Sequence, residues 1–340
     1  MAELPLLIKA MLNPSFYPHR PQGVEFIQTH SSYIFLAGEL VYKVKKPVDF
    51  GFLDFTTLEK RRHFCHEEIR LNRRFSPDVY LGVVPISVHG NSFRMGDDIE
   101  VIEYTLKMRR ISEDHMLYRL LEAGRVSSDA MQRIGSHLAR VYAAIESDEK
   151  ARVFGRLDTI YTNVVENFEQ TKRYIGGPVA KETFQSIESW SLSFMEKNAA
   201  LFEQRIAQGS IKECHGDLHL QHICMEGEDI YIFDCIEFNE RFRFGDVASD
   251  VAFLAMDLDL NGYPELGRIF VEAYTEASDD STLVHVLPFY KVYRAYVRAK
   301  VTSFMLDDEG LDRNTRNEAL QRAKQYYDLA LRYVKDSSGR

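Results

Sequence analysis

Short apolar runs separated by polar and turn residues mark the first hundred residues of the chain. Runs of this length, bounded by glycine, proline and polar residues, are typical of β-strands. Pro47 follows the third run and cannot donate to a strand ladder, which ends that run. We therefore predict five strands: Val24–Ile27, Tyr33–Leu36, Leu40–Lys45, Gly82–His89 and Ile99–Leu106.

One stretch between the third and fourth strands has helical spacing instead. From Thr56 to about Arg74, helical spacing of close to 3.6 positions relates Leu58, Phe64, Cys65, Glu68 and Leu71, and Pro77 lies beyond the end. This pattern predicts one amphipathic helix inserted into the strand sequence.

From Ser112 onward the pattern changes to long helices. Ser127-Ser128-Asp129 has the composition of a helix cap, and a compact β element at 211–233 interrupts the helical stretches. We therefore predict an α+β, bilobal protein. Its five-stranded N-terminal lobe with one helix spans 1–107, including an extension at 1–21, and its mainly helical C-terminal lobe spans 108–335.

Composition restricts the function classes. The chain has 340 residues, 45% hydrophobic and 27% charged, which is ordinary for a globular protein with two packed lobes. Its net charge of −9 argues against a nucleic-acid partner, since such partners favour basic surfaces. Four cysteines without CxxC spacing, no signal-peptide pattern and no apolar run of membrane-spanning length favour a reduced, cytoplasmic protein without a membrane partner.

Acidic residues of the second half suggest the chemistry. Asp217 lies in the polar sequence His215-Gly216-Asp217-Leu218-His219, and Asp234 follows the run 230–233. Asp246 and Asp250 are four residues apart and share a helix face. In phosphoryl transfer one carboxylate accepts the proton of an attacking hydroxyl, and another holds Mg²⁺ against nucleotide phosphates. A hairpin turn between Cys224 and Ile230 would bring Asp217 and Asp234 to neighbouring positions.

A zinc site is an alternative interpretation of the same segment. Zinc takes mixed histidine and cysteine ligands, and the segment contains His215, His219, His222 and three cysteines. Gly216 disfavours a shared helix face, and the cysteines lie in apolar runs where free cysteine packs as a small hydrophobe. Phosphoryl transfer is therefore the favoured interpretation.

The motifs together resemble the aminoglycoside phosphotransferase family of the protein-kinase-like superfamily. The resemblance covers residues 10–335 and is closest to bacterial members that often precede a P-loop ATPase domain. It rests on His215–His219, Phe233-Asp234 and Gly245–Asp250, and further on 41–48, 52–55, 61–64 and 236–239. It implies a bilobal protein-kinase-like fold. The sequence contains no GxxxxGK[ST] motif, so we expect this chain to act without a P-loop domain.

The resemblance also implies roles for individual residues. Asp217 resembles the catalytic base, and Asp234 resembles the aspartate that ligates the metal. Lys43 resembles the lysine that contacts the α- and β-phosphates, and Glu68 its helix partner. Lys45 shares a strand face with Lys43, and Glu67 adjoins Glu68, so Lys45 and Glu67 remain alternatives to these two.

Further positions complete the implied nucleotide site. The turn His30-Ser31-Ser32 would cover the phosphates, and the segment from Glu103 to Met108 would meet the adenine. His215 and Asp246 would support the catalytic loop.

One position departs from the family pattern. The family has asparagine five residues after the catalytic aspartate, as a second metal ligand, and here that position is His222. Imidazole suits Mn²⁺ or Zn²⁺ better than it suits Mg²⁺. The expected site therefore binds one metal, prefers Mn²⁺, or has lost turnover.

These observations predict an enzyme that uses ATP and Mg²⁺, or Mn²⁺, to phosphorylate a hydroxyl of a small molecule. A catalytically weak nucleotide-binding pseudokinase and a transferase of AMP to protein hydroxyls are the alternatives. Acidic residues at 257–259, 279–280 and 307–309 either attract a cationic acceptor or form a solvated surface. The sequence identifies neither the acceptor nor the oligomeric state.

Overall fold

The computed structural model describes residues 4–90 and 92–338. The chain divides into two compact units. The first runs to Ala123 and also includes Gln221–Glu240, while the second contains Gly124–Leu220 and the chain from Arg241 onward. These bounds differ from those of the predicted lobes, because residues 108–123 and the segment that carries Asp234 belong to the first unit.

An antiparallel sheet with strand order β1-β2-β3-β6-β4-β5 forms the centre of the first unit. It has six strands, one more than predicted, because Ser92–Met95 pairs with the preceding strand in a hairpin. This four-residue run alternates too briefly to be recognised as a strand. The strands are β1 (Glu25–Gln28), β2 (Ser32–Ala37), β3 (Leu40–Lys45), β4 (Tyr80–His89), β5 (Ser92–Met95) and β6 (Val101–Arg109).

Three helices accompany this sheet: α1 (Leu6–Met11), α2 (Leu58–Asn72) and α3 (Leu117–Glu122). The predicted inserted helix is confirmed as α2, which begins where the Thr57 side chain accepts a hydrogen bond from Lys60 N–H at 3.2 Å. Cys65 and Ile69 of α2 pack against Tyr80 and Leu106 of the sheet. One face of α2 therefore packs against β4 and β6.

A small β-hairpin lies in the second segment of the first unit, Gln221–Glu240. It consists of β8 (Ile223–Glu226) and β9 (Asp229–Ile232), joined at Gly227, whose φ of +61° suits a tight turn. The Ser76 hydroxyl donates to Ile232 C=O at 2.7 Å and accepts from Ile232 N–H at 2.8 Å. These bonds fix the hairpin beside the end of α2. The bonded residue, Ile232, lies two residues before Asp234.

The second unit is mainly helical, as predicted. A two-stranded ribbon of β7 (Ile211–Glu213) and β10 (Phe244–Asp246) lies next to the loop that contains His215. Its helices are α4 (Ser128–Ala143), α5 (Glu149–Val153), α6 (Leu157–Thr171), α7 (Lys181–Lys197), α8 (Ala199–Ala207), α10 (Val247–Leu260), α11 (Pro264–Ser278), α12 (Leu283–Phe304) and α13 (Arg313–Ser338), and the short α9 (Glu240–Arg243) begins at the unit boundary.

Helix α10 is buried around nearly its whole circumference, which explains its apolar sequence. Helices α4 and α11 pack so closely that a Cβ at Gly135 would lie 2.7 Å from Phe270 C=O. Among the described residues, no helix combines the length and apolar character needed to cross a bilayer. The α+β class predicted from the sequence is confirmed.

Candidate active site

Two lysines of β3 point to the same face of the sheet because side chains alternate along a strand. Lys43 Nζ lies 2.8 Å from Glu68 Oε1 and 2.7 Å from Asp234 Oδ1. Lys45 Nζ lies 2.6 Å from Glu68 Oε2 and also contacts Glu237 Oε1. Each oxygen of the Glu68 carboxylate therefore binds one lysine.

The two lysines differ in accessibility. The Lys43 side chain is 16% exposed and reaches Asp234, which is 44% exposed, whereas Lys45 is 1% exposed. Lys43 is thus the lysine of the pair that solvent and a ligand can reach. On α2, Glu68 is the carboxylate that faces the lysines, while Glu67 pairs with Arg70 at 2.8 Å on the surface.

The carboxylates of this cluster stabilise the charged form of Lys43. Burial by itself favours a neutral Lys43 amine, but the Asp234 and Glu68 carboxylates outweigh it and hold the pKa of Lys43 well above its usual value. Burial raises the pKa of Glu237, and the Lys45 ammonium opposes that rise. Lys43 is therefore a cation at neutral pH.

Asp234 has a left-handed backbone conformation, with φ of +65°. Such a conformation is unfavourable for a residue other than glycine and needs support from its surroundings. Asp234 N–H donates to the Tyr80 hydroxyl at 3.1 Å, and Cys235 N–H donates to Asn72 Oδ1 at 2.9 Å. Both supporting side chains are buried, so the turn is held from α2 and β4.

His222 lies beside Asp234, with Nε2 3.6 Å from Asp234 Oδ2. Two ligands of one divalent ion lie about 3 Å apart when each is about 2.1 Å from the metal, so a small adjustment would let both bind one ion. A carboxylate suits Mg²⁺, and the added imidazole shifts the pair toward softer ions such as Mn²⁺. The residues therefore fit a divalent metal.

The proposed phosphate turn connects β1 and β2. Ser32 N–H donates to Thr29 Oγ1 at 3.0 Å, and Ser31 C=O accepts from Lys46 N–H at 2.7 Å. Lys46 also reaches Thr29 C=O with its side chain. Ser32 is buried and already bonded inside the turn, so Ser31 is the more accessible of the two serines.

Met108, proposed for the adenine side, is near the end of β6. It pairs with Val41 of β3 and Tyr80 of β4 and packs, half-buried, against the cluster that contains Leu106. Its strand also supports Lys43, because Thr105 Oγ1 donates to Lys43 C=O at 3.2 Å.

In the second unit, Asp217 lies on the loop between β7 and the following short helical turn. Its N–H donates to His215 Nδ1 at 3.2 Å, and His219 Nε2 lies 3.4 Å from Asp217 Oδ2. The two histidines are buried, whereas the Asp217 side chain is 33% exposed. Its carboxylate is therefore held in place yet accessible.

Asp250 braces this loop from the first turn of α10. Its buried carboxylate accepts from His215 N–H at 2.8 Å and Gly216 N–H at 3.1 Å, and also binds the Tyr142 hydroxyl. Arg294 donates to Gly216 C=O at 2.9 Å from α12. The loop's backbone polar groups are thus satisfied by charged side chains, which makes it rigid.

His215 and Asp246 were the residues predicted to support this loop, whereas the hydrogen bonds to the backbone of His215 and Gly216 come from Asp250. Asp246 instead caps α10 by accepting from Ala248 N–H at 2.9 Å, and it binds the fully buried Arg205 at 2.6 and 2.9 Å. It lies at the end of β10, four residues before Asp250. Its support for the loop passes through the start of α10.

Sequence reasoning also missed residues that the site uses. Glu237 was noted only within the 236–239 motif, and Lys45 only as an alternative to Lys43. Tyr142 and Arg294 carry no local signal, since a tyrosine or arginine in a long amphipathic helix is usually ordinary packing or surface.

None of the protein-family models compared with the chain matches it. Uncharacterized proteins of Mycobacterium tuberculosis and Mycobacterium bovis are each 31% identical over 278 residues, which is 82% of this chain and 54% of theirs. The chain thus spans about half the length of the curated relatives it matches.

Solved structures resemble almost the whole chain. A choline kinase from Cryptosporidium parvum superposes with a TM-score of 0.58 at 11% identity, covering 98% of this chain and 96% of its own. The GDP complex of aminoglycoside 2'-phosphotransferase-IIIa gives a TM-score of 0.53 at 13% identity, covering 96% and 99%. The chain has the protein-kinase-like fold.

A choline/ethanolamine kinase family protein from Mesorhizobium loti has the same fold, with a TM-score of 0.55 at 12% identity over 96% of this chain and 98% of its own. The predicted resemblance to aminoglycoside phosphotransferases is confirmed. At such identities the likeness establishes the protein-kinase-like fold and leaves the activity to be argued from the residues.

Proposed function

We propose that this protein is an ATP-dependent phosphotransferase that moves the γ-phosphate to a hydroxyl of a small molecule. The observation that carries the proposal is the contact of Lys43 Nζ with both Glu68 and Asp234. A lysine held between a helix glutamate and an accessible aspartate after a β-hairpin is the arrangement that protein-kinase-like enzymes use for nucleotide phosphates.

In this proposal each residue has a distinct role. Lys43 neutralises phosphate charge, and Ser31 donates its backbone N–H to a phosphate oxygen at the β1–β2 turn. Met108 contacts the adenine. Asp217 accepts the proton of the acceptor hydroxyl, and His215 with Asp250 keeps its loop in position. Asp234 and His222 would hold a divalent ion, which supplies additional neutralisation of the transferred phosphoryl group.

The solved relatives support nucleotide and metal use. One is a glucosamine kinase with glucosamine, ADP and phosphate, and another is an amicoumacin kinase with AMP-PNP and Ca²⁺. Their acceptors differ although their fold is shared, so the acceptor of this protein must be identified by experiment.

The acidic residues near the C-terminus give no separate argument for a cationic acceptor. Asp257 accepts from Leu220 N–H, Asp259 pairs with Lys291, and Asp280 pairs with Arg205. Asp307 pairs with Arg173. Because these charges are engaged within the second unit, a screen should include cationic, neutral and anionic hydroxyl compounds equally.

Parallel reactions with α- and γ-labelled ATP test the proposal. Each contains the protein, Mg²⁺ or Mn²⁺, and a panel of hydroxylated small molecules. We expect label on a small molecule from γ-labelled ATP alone. Retention of the α label on protein would instead identify an AMP transferase and contradict the proposal.

A nucleotide-binding pseudokinase is the second candidate, and His222 in place of the family asparagine favours it. Calorimetry with ATP and each metal distinguishes the two when combined with the labelling reactions. Binding without transfer to any compound of the panel would favour the pseudokinase.

We also propose a cytoplasmic location, since ATP is available there. The four cysteines are all free and buried, which suits a reducing compartment.

A further inference from the structure

A second ion pair lies behind the lysine that is proposed to bind phosphate. Lys45 Nζ contacts Glu237 Oε1 and lies 2.6 Å from Glu68 Oε2. The side chains of Lys45, Glu68 and Glu237 are 1%, 0% and 7% exposed. These charges are therefore almost completely removed from water.

Two residues of β3 each form an ion pair with a residue of one loop. Lys43 and Lys45, two residues apart, face the same side, and they bind Asp234 and Glu237, which are three residues apart on the segment after β9. Glu68 of α2 lies between them and contacts both lysines. The loop is thus attached to β3 at an accessible contact and at a buried one.

The accessible contact is the one that a nucleotide would disturb. Under the proposed function, Lys43 turns toward phosphate and Asp234 toward the metal, which weakens their direct pair. The buried pair needs no such change, because Lys45 and Glu237 are almost completely buried. It can hold the loop while the accessible pair opens.

The backbone conformation of this loop needs support from its surroundings. Asp234 keeps an unfavourable φ of +65°, and the backbone bonds that support the turn are donated by Asp234 to Tyr80 and by Cys235 to Asn72.

We propose that Lys45 and Glu237 are positioning residues that keep Asp234 in its metal-binding conformation. This inference rests on the proposed function for the role of Asp234. It assigns the second lysine of β3 to the metal-binding loop, whereas the first serves the nucleotide.

A purely structural role predicts a different result from a positioning role. Removing one member of a buried ion pair is strongly destabilising, while replacing both by apolar residues of similar size is often neutral. The double variant K45M/E237L should therefore regain part of the melting temperature that K45M alone loses, since Glu68 loses Lys45 in both variants but keeps Lys43. If the pair only stabilises the fold, the double variant should also regain metal binding.

The experiment measures AMP-PNP affinity by calorimetry in Mg²⁺ and again in EDTA, together with the melting temperature. The ratio of the two affinities reports the contribution of the metal, independent of turnover. We expect K45M/E237L to melt above K45M but to lose about tenfold or more of that ratio, as for residues that orient metal ligands. E237Q should lose part of the same affinity ratio.

Glu67→Gln is the matched control, because Glu67 neighbours Glu68 on α2 but pairs with Arg70 at the surface. It should change neither quantity. A wild-type ratio in K45M/E237L would overturn the inference, as would a wild-type protein whose AMP-PNP affinity does not respond to Mg²⁺. A protein that binds AMP-PNP with the metal but transfers no phosphate would contradict only the proposed function.

Discussion

At the scale of single residues, the candidate site depends on a few side chains with unusual surroundings. Lys43 is a half-buried cation between two carboxylates, and Asp234 is an accessible carboxylate on a strained backbone. Strain of this kind is found where the surrounding structure fixes a functional group. The two residues therefore fit a site that is formed before its ligand binds.

His222 is the residue whose chemistry departs most from the family pattern. We predict that His222→Asn shifts metal preference from Mn²⁺ toward Mg²⁺, since an amide oxygen is a harder ligand than imidazole. The measurement is the ratio of AMP-PNP affinities in Mn²⁺ and in Mg²⁺, which should fall about tenfold.

His66→Asn is a suitable control for this substitution, because His66 is an exposed residue of α2 in the same unit. It should leave the ratio unchanged. An unchanged ratio in His222→Asn itself would show that His222 is not a metal ligand.

At the scale of helices and strands, the sequence predicted elements with a strong local signal. The alternation of β3 placed Lys43 and Lys45 on one face, and the spacing of α2 placed Glu68 near Leu71 and Cys65. The hairpin before Asp234 followed from a polar turn between two apolar runs. Each of these features depends on residues within one element.

Pairings between distant segments could not be predicted in the same way. Lys45 and Glu237 are 192 residues apart, and no pattern in either segment names the other. Asp246 and Asp250 share a helix face, so spacing could not decide which one reaches the backbone of His215. That choice depends on the register of α10 against the loop, which only the packed structure fixes.

The brace formed by Asp250 leads to an element-scale prediction. Asp250→Asn should lower ATP turnover about tenfold or more, because the amide replaces a carboxylate that accepts from two backbone N–H groups. Such charge-assisted bonds contribute about 1.5–3 kcal/mol each. ATP affinity should be retained, since the proposed nucleotide residues belong to the first unit.

Asp246→Asn, at the N-cap of the same helix, provides the contrast. It breaks a buried pair with Arg205 and should destabilise the second unit by about 3–5 kcal/mol, measured by urea unfolding. Unchanged turnover in Asp250→Asn, with the loss confined to stability, would contradict the bracing role.

At the scale of the whole molecule, the two units contain different candidate site residues. The first contains the lysines, Glu68, Asp234 and His222, and the second contains Asp217 on its braced loop. We therefore propose that residues of the first unit bind the nucleotide and the metal. Asp217 of the second unit acts on the acceptor in this proposal. Fold class and most elements could be predicted from the sequence, while the unit bounds required the structure.

Substitution of Asp217 by asparagine tests the central claim most directly. Asparagine has nearly the same shape as aspartate but cannot accept the proton of a hydroxyl at neutral pH. Two quantities are measured together: ATP affinity by calorimetry, and transfer of label from γ-labelled ATP to the acceptor found in the panel. Asp129→Asn, at an exposed position of α4 in the same unit, is the control and should match the wild type in both.

We predict that Asp217→Asn binds ATP within about twofold of the wild type, while transfer falls by about 10²–10⁴-fold, the usual contribution of a general base. Transfer at the wild-type rate by Asp217→Asn would contradict the proposed function.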